Sequence, residues 1–137
     1  MKTLLHTAAA TYLILVGAAA AAQATVTKPW QDRNMHAGPD NAFPVVTRVT
    51  RHDTVQVQGC IEGFAWCDIV AGRRRGWVRG DALRNVLPGR VPVVTFSVEP
   101  YWDAHYRDRR WFADKSAWLG WGTPGWTPPP PRPRGRS

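Results

Sequence analysis

Cys60 and Cys67 are the only two cysteines of the chain, and their spacing limits the chemistry open to them. A two-residue turn at Gly63-Phe64 would place them opposite each other across an antiparallel hairpin. Opposed residues lie roughly 4.5–5.5 Å apart, which a disulfide can bridge. A redox pair would more often be C-x-x-C at a helix start, and a metal site would need further ligands. The spacing favours a structural disulfide over these two alternatives.

Histidines and serines are the other residues that could act in catalysis. His36, His52 and His105 are separated by 16 and 53 residues, a spacing that specifies no metal site. None of the three serines stands in a nucleophile motif, and no paired-carboxylate or phosphate-loop pattern occurs. We therefore predict no enzymatic activity, no metal and no cofactor.

The first 24 residues have the pattern of an export signal. Lys2 supplies a positive charge, Leu4–Ala22 is largely apolar, and Ala22-Gln23-Ala24 is a small-x-small cleavage site. The alternative, an uncleaved anchor, lacks a following basic cluster. We predict a mature chain that starts at Thr25, has no transmembrane segment, and is periplasmic or secreted, where a disulfide can form.

The charge balance indicates anionic partners. Removing Lys2 from the 18 basic residues leaves 17 against 10 acidic residues, a net charge of +7. In an exported protein this charge favours peptidoglycan carboxylates, lipopolysaccharide or phospholipid head groups, whereas the compartment argues against nucleic acid. The alternative is that the charge only maintains solubility.

Residues 25–88 show strand patterns and no helical periodicity. The segment Thr54–Ile61 alternates with period two, which predicts valines inward and glutamines outward. Turn residues recur about every ten positions, a spacing typical of a small barrel or sandwich. The predicted strands are Val45–Thr50, Thr54–Ile61, Trp66–Val70, Gly76–Val78 and Leu83–Leu87.

The segment Asn34–Val46 resembles the opening of a bacterial SH3-type (SH3b) domain. That opening has asparagine, a hydrophobe, arginine, a small residue, Gly-Pro, a polar gap, an aromatic residue, proline and valine. Later pieces agree in order and spacing: Val55 and Val57, Gly59-Cys60, Trp66-Cys67, Arg75–Val78 and Leu83.

The resemblance covers residues 25–87, and the Trp66-Cys67 pair is similar to the exported proteobacterial branch of the family. It implies a five-stranded β-barrel that binds, rather than transforms, cell-wall peptides. Two departures concern binding: His36 replaces the usual arginine, and Arg51-His52-Asp53 replaces a glycine-containing turn.

Ligand-binding residues are predicted around the loop Arg33–Pro44, which lies over a groove in SH3-like barrels. Asn34 and His36 can offer hydrogen bonds there, although Asn34 could instead fix a turn. The sequence also places three rings near the groove for stacking on a sugar or peptide. For each ring the alternative is a structural role in the core, on one barrel face or in closing the loop. These rings are Phe43, Trp66 and Trp77.

Residues 91–126 form an aromatic and basic extension, in which positions 101–126 hold nine aromatic side chains, counting His105. It could wrap the barrel, form a binding surface, or become ordered only on contact. Tyr101 and Trp102 are predicted ligand contacts. Val91–Val98 could be a strand, whereas Tyr101–Trp111 fits a helix poorly because its aromatics do not keep to one face.

The sequence therefore predicts an all-β protein, a small SH3-like five-stranded barrel with an irregular C-terminal extension. Its divisions are a signal peptide (1–24), the barrel (25–90), the extension (91–126) and a Pro/Arg-rich disordered tail (127–137). The predicted function is non-catalytic recognition of cell-envelope material, with peptidoglycan peptides as the expected ligand. The alternatives are a periplasmic adaptor that docks on a protein through the basic aromatic extension, and an accessory module of an enzyme.

Overall fold

The computed structural model describes Thr3, residues 8–14 and residues 25–133. The predicted cleavage site and most of the predicted signal peptide lie outside the described residues. Within the described part of the chain, we find no helix whose length and apolar character would suffice to cross a bilayer.

Six antiparallel strands form one sheet in the order β1-β4-β5-β6-β2-β3, and short helices follow the last strand. The protein is therefore mostly β, as predicted, but the sheet has six strands and not five. The strands are β1 (Thr25–Thr27), β2 (Arg33–His36), β3 (Val45–Val49), β4 (Val55–Cys60), β5 (Trp66–Ala71) and β6 (Arg74–Arg79).

The central hairpin forms as its sequence pattern predicts. In β4, Val55 and Val57 are buried while Gln56 is exposed, so the period-two pattern places the valines in the core. Cys60 pairs with Cys67 in register, and the two form a disulfide.

The turn of this hairpin differs slightly from the prediction. Gly63 and Phe64 both have positive φ, 82° and 58°. However, Ile61 makes two backbone hydrogen bonds at the base of the loop: its amide donates to the Trp66 carbonyl, and its carbonyl accepts from the Phe64 amide. Residues 61–65 connect β4 to β5, and the cysteines pair in the predicted register.

Loss of the disulfide is expected to destabilise the protein by roughly 2.5 kcal/mol, as the chain-entropy formula gives for an eight-residue loop. The double variant Cys60→Ala/Cys67→Ala should show this loss in urea unfolding against the oxidised parent. The reduced parent serves as the matched control, because it lacks the bond but keeps both sulfurs. A double variant as stable as the oxidised parent would contradict the prediction.

Several predicted strands are absent or displaced. Leu83–Leu87 is not a strand, because Leu83 makes only an isolated bridge to Pro29. Val91–Val98 is not a strand either, although Val93 bridges Cys60. The predicted loop Arg33–Pro44 begins with strand β2, so only residues 37–44 form the loop.

The extension contains two helices, α1 (Val98–His105) and α2 (Lys115–Trp118), and a 3₁₀ helix at Arg110–Asp114 between them. The prediction that Tyr101–Trp111 fits a helix poorly was therefore wrong for residues 101–105, which belong to α1, whereas residues 106–109 are in no helix. Val98, Trp102 and Tyr106 follow at intervals of four, and all three are buried on one side of α1 and its cap. Pro100 is tolerated because it lies in the first turn, where backbone amides have no partner within the helix.

The extension shares one hydrophobic core with the sheet. Val98, Trp102, Tyr106 and Trp118 belong to the same cluster of buried side chains as the strand valines. Of the three alternatives for the extension, the structure therefore shows the wrapped one. The tail stays mostly exposed as far as residue 133, with Pro129 half-buried.

Candidate functional site

The face that carries Phe43 is covered by the extension. The Phe43 ring is only 2 % exposed and stacks on Trp118 with ring centres 4.8 Å apart. Trp121 and Phe96 pack against the same ring at 5.6 and 5.5 Å. This face is thus filled by the protein's own aromatic side chains.

Trp77 and Trp102 also lie in the core. Trp77 is 1 % exposed, packs against Phe96, and has an enclosed Nε1 without a hydrogen-bond acceptor among the described residues. Trp102 is fully buried, and its Nε1 donates to the Ala37 carbonyl at 2.9 Å. Trp77 therefore has the structural role in the core that was the alternative to ligand binding.

A different surface carries an open cleft of about 470 Å³. It brings together three of the residues that the sequence singled out, Asn34, His36 and Trp66. Six further residues complete its lining, and five of the six are charged. They are Asp32, Arg33, Asn41, Arg48, Arg79 and Asp81. We call this surface the mixed-charge cleft.

Strand register positions the walls of the mixed-charge cleft. Asn34 of β2 lies opposite Arg48 of β3, and Trp66 of β5 lies opposite Arg79 of β6. Opposed residues project from the same face of a sheet, so each pair contributes neighbouring side chains to the cleft. A bulge after Met35 shifts the register of β2 where the strand changes partners from β3 to β6.

His36 and Trp66 form the inner wall. The His36 Nδ1 lies 2.9 Å from the Phe43 carbonyl, which can only accept, so Nδ1 donates and Nε2 of the neutral ring can accept. The two rings meet edge to face at 5.6 Å. The Arg79 guanidinium lies 5.7 Å from the centre of the Trp66 ring, a cation–π contact.

The charges at the rim are loosely paired. Arg48–Asp32 and Arg79–Asp81 both measure 3.8 Å, and these side chains are 41–71 % exposed. Exposed pairs of this kind contribute about 0–1 kcal/mol, so a ligand can replace either partner. The cleft therefore offers guanidinium forks for carboxylates, and carboxylates for an ammonium group.

A second charged group, centred on Asp68, is buried and structural. Its carboxylate accepts from Arg75 at 3.1 and 2.8 Å and from the Tyr101 hydroxyl at 2.7 Å. These bonds raise the pKa of Arg75, while burial raises the pKa of the Tyr101 phenol well above its usual range. Tyr101 is therefore tied to the sheet, apart from the mixed-charge cleft.

The seven predicted ligand contacts thus divide into two groups. Asn34, His36 and Trp66 meet in the mixed-charge cleft, while the other four lie under or within the extension. Sequence reasoning missed the five charged residues of the cleft. Sequence proximity could have indicated only Asp32 and Arg33, which directly precede Asn34. Arg48 comes from β3, Arg79 from β6, and Asp81 from the short 3₁₀ helix after β6, so only the fold brings them to the cleft.

Within the described ranges, no three histidine, cysteine or acidic side chains stand close enough together to hold a metal ion. Comparisons with protein-family models, curated proteins and solved structures found no match. The family resemblance of the sequence therefore stays a hypothesis, and a proposal for the function has to rest on the geometry of the mixed-charge cleft.

Proposed function

We propose that this protein is an exported, non-catalytic, SH3-like binding module that recognises peptidoglycan stem peptides through the mixed-charge cleft. The convergence of Asn34, His36 and Trp66 with three arginines and two aspartates carries the proposal. The disulfide is consistent with an oxidising compartment outside the cytoplasm.

The SH3-like description is supported by the strand pairing. Strands β2–β3, β4–β5 and β5–β6 pair as antiparallel neighbours and β6 returns to pair with β2, while β1 and β3 are the two edges of the open sheet. The core of an SH3-like barrel is small, and here helices α1 and α2 extend it. The cleft lies where β2, β3, β5 and β6 contribute side chains to one surface.

Stem peptides match the chemistry of this cleft. They carry carboxylates and, in many walls, an amino group, and they present an extended backbone between them. Arg48 and Arg79 can bind carboxylates, Asp32 and Asp81 can bind an ammonium group, and Asn34 can bind backbone amides.

Replacing Arg79 by glutamine is expected to weaken binding to purified sacculi about tenfold or more, because a charge-assisted hydrogen bond contributes about 1.5–3 kcal/mol. The measurement is a pull-down of oxidised residues 25–137 across a salt series. Arg90→Gln is the matched control, since it removes the same charge from an exposed site outside the cleft.

Equal losses for Arg79→Gln and Arg90→Gln would contradict the proposed cleft. A soluble stem peptide adds a second test, because amidation of its terminal carboxylate should reproduce the loss. Unchanged sacculus binding in Arg79→Gln would reject the cleft as the site, and absence of sacculus and peptide binding by the parent would reject wall recognition.

The alternative function is an adaptor that docks on a periplasmic protein through the extension. Most of the extension's aromatics pack inward, so this alternative depends on exposed arginines, Arg107 and Arg110 above all. Under this alternative, binding should weaken steeply with added salt, and substitution of Arg107 or Arg110 should weaken it more than substitution of Arg79.

A further inference from the structure

A second cleft, also of about 470 Å³, lies at the opposite end of β6 from the mixed-charge cleft. It separates the β5–β6 turn from the end of α1. Four of its eight lining residues are arginines, from two distant parts of the chain. The lining consists of Val46, Arg73, Arg74, Arg75, His105, Tyr106, Asp108 and Arg109. We call it the arginine cleft.

Three of the four guanidinium groups are held in place by the fold. Arg75 is fixed by Asp68, Arg74 donates to the Thr47 hydroxyl, and the Arg109 Nη1 donates to the Val46 carbonyl at 3.1 Å. A guanidinium has five N–H donors, so each of these groups keeps donors for a ligand. Because they are already positioned, less side-chain entropy is lost on binding.

The fourth, Arg73, is exposed at the turn, and no hydrogen bond or ion pair holds its side chain among the described residues. It follows Gly72, whose φ of 60° suits the left-handed position of the turn. Arg73 can therefore reorient toward a bound anion without breaking an existing contact.

The electrostatic balance of the arginine cleft is strongly positive. Asp108 is the only carboxylate in its lining, whereas Asp68 lies behind Arg75 and is already shared with it. Burial and the proximity of Arg75 lower the pKa of His105, which disfavours the protonated ring. The cleft thus differs from the mixed-charge cleft, where acids and bases alternate.

We propose that the arginine cleft binds a phosphate monoester group. A carboxylate has one charge and two oxygens, which a single guanidinium can satisfy. A phosphate monoester carries about −1.5 to −2 charges and three terminal oxygens, and it requires several donors converging from different directions. Four arginines around one cleft supply that arrangement.

The same phosphate chemistry has two sources in the envelope, a small soluble phosphate ester or a phosphorylated headgroup at a membrane surface. Arg73 of the turn and Arg74 at the start of β6 are both exposed, so a headgroup can reach them. The proposal concerns the phosphate group itself and does not depend on peptidoglycan binding by the mixed-charge cleft.

The test is a titration of the oxidised mature chain with methyl phosphate, followed by NMR of the backbone amides. We expect saturable shifts at residues 73–75 and 109, and binding at least about tenfold weaker for Arg73→Glu. Arg90→Glu is the matched control, with the same charge change at an exposed position outside both clefts. Methyl sulfate, with a single negative charge, should bind more weakly than methyl phosphate.

Absence of saturable shifts in the parent, or equal weakening in Arg73→Glu and Arg90→Glu, would overturn the proposal. The exposed Arg73 side chain has no hydrogen bond or ion pair among the described residues, so loss of folding is not expected, and circular dichroism of each variant checks it. Vesicles with and without phosphatidic acid then distinguish the source. Arg73-dependent binding to phosphatidic acid vesicles supports the headgroup, whereas binding of methyl phosphate alone supports a soluble ester.

Discussion

Replacing Trp102 by alanine is expected to lower the free energy of unfolding by about 3–5 kcal/mol, the usual range for a fully buried tryptophan. The ring is 0 % exposed, packs on Trp111 at 4.8 Å, and donates a hydrogen bond to the Ala37 carbonyl. Its removal leaves a cavity and an unpaired carbonyl. Urea unfolding of the oxidised mature protein measures the change.

Trp30→Ala is the control for this experiment, because Trp30 is 54 % exposed and contacts Arg84 by a cation–π interaction at 4.0 Å. Its loss should cost about 1 kcal/mol or less.

Residues 25–90 alone should fail to fold cooperatively, because Phe43 and Trp77 would lose the side chains of the extension that cover them. Cooperative unfolding of that fragment would show that the sheet folds without the extension.

Replacing Asp68 by asparagine is expected to destabilise the protein by about 3 kcal/mol or more, because it leaves a charged partner without its counter-ion. Asp68 is 5 % exposed and accepts from both Arg75 and the Tyr101 hydroxyl. The asparagine side chain has the same volume as aspartate, but its N–H groups would face the N–H and O–H donors of Arg75 and Tyr101. The buried Asp68 carboxylate of β5 therefore links this strand to β6 through Arg75 and to α1 through Tyr101.

Asp81→Asn serves as the control, since the Asp81 side chain is 71 % exposed and its pair with Arg79 measures 3.8 Å. Thermal or urea unfolding should show a change of less than about 1 kcal/mol for Asp81→Asn. Equal effects of the two substitutions would mean that the Asp68 group contributes no more than a surface ion pair. Addition of Tyr101→Phe would separate the hydroxyl contribution from the guanidinium contribution in a double-mutant cycle.

These experiments also bear on how binding should be measured. Because the extension completes the core, a comparison of residues 25–137 with residues 25–90 would confuse unfolding with loss of a site. Point variants in the full mature chain avoid this. Arg79→Gln for the mixed-charge cleft and Arg73→Glu for the arginine cleft both change exposed side chains at the rim.

The strands β3 to β6 could be predicted because their signals are local. Alternation in Thr54–Ile61, the glycine turns, and the cysteine spacing all act over fewer than ten residues. By contrast, β1 has three residues and β2 has four, which are too short to show a period. Leu83–Leu87 has a strand-like composition, but only Leu83 pairs, through an isolated bridge to Pro29.

The sequence pattern did not reveal helix α1, because the tertiary structure decides which of its aromatic side chains form the buried face. Val98, Trp102 and Tyr106 share one side, yet Tyr101 and His105 are aromatic as well and obscure the pattern in the sequence. Tyr101 turns to Asp68, 33 residues away, and Trp102 to Ala37, 65 residues away. Those partners explain why adjacent aromatics point in different directions.

The sequence by itself determined the hairpin register, the disulfide and the mostly β class, since each depends on residues close together in the chain. The tertiary structure alone decided which aromatics are buried and which charged residues share a cleft. Phe43 and Trp77 became core because the extension folds back over them. Asn34, Trp66 and Arg79 meet because sheet pairing, and not chain proximity, places strand ends side by side.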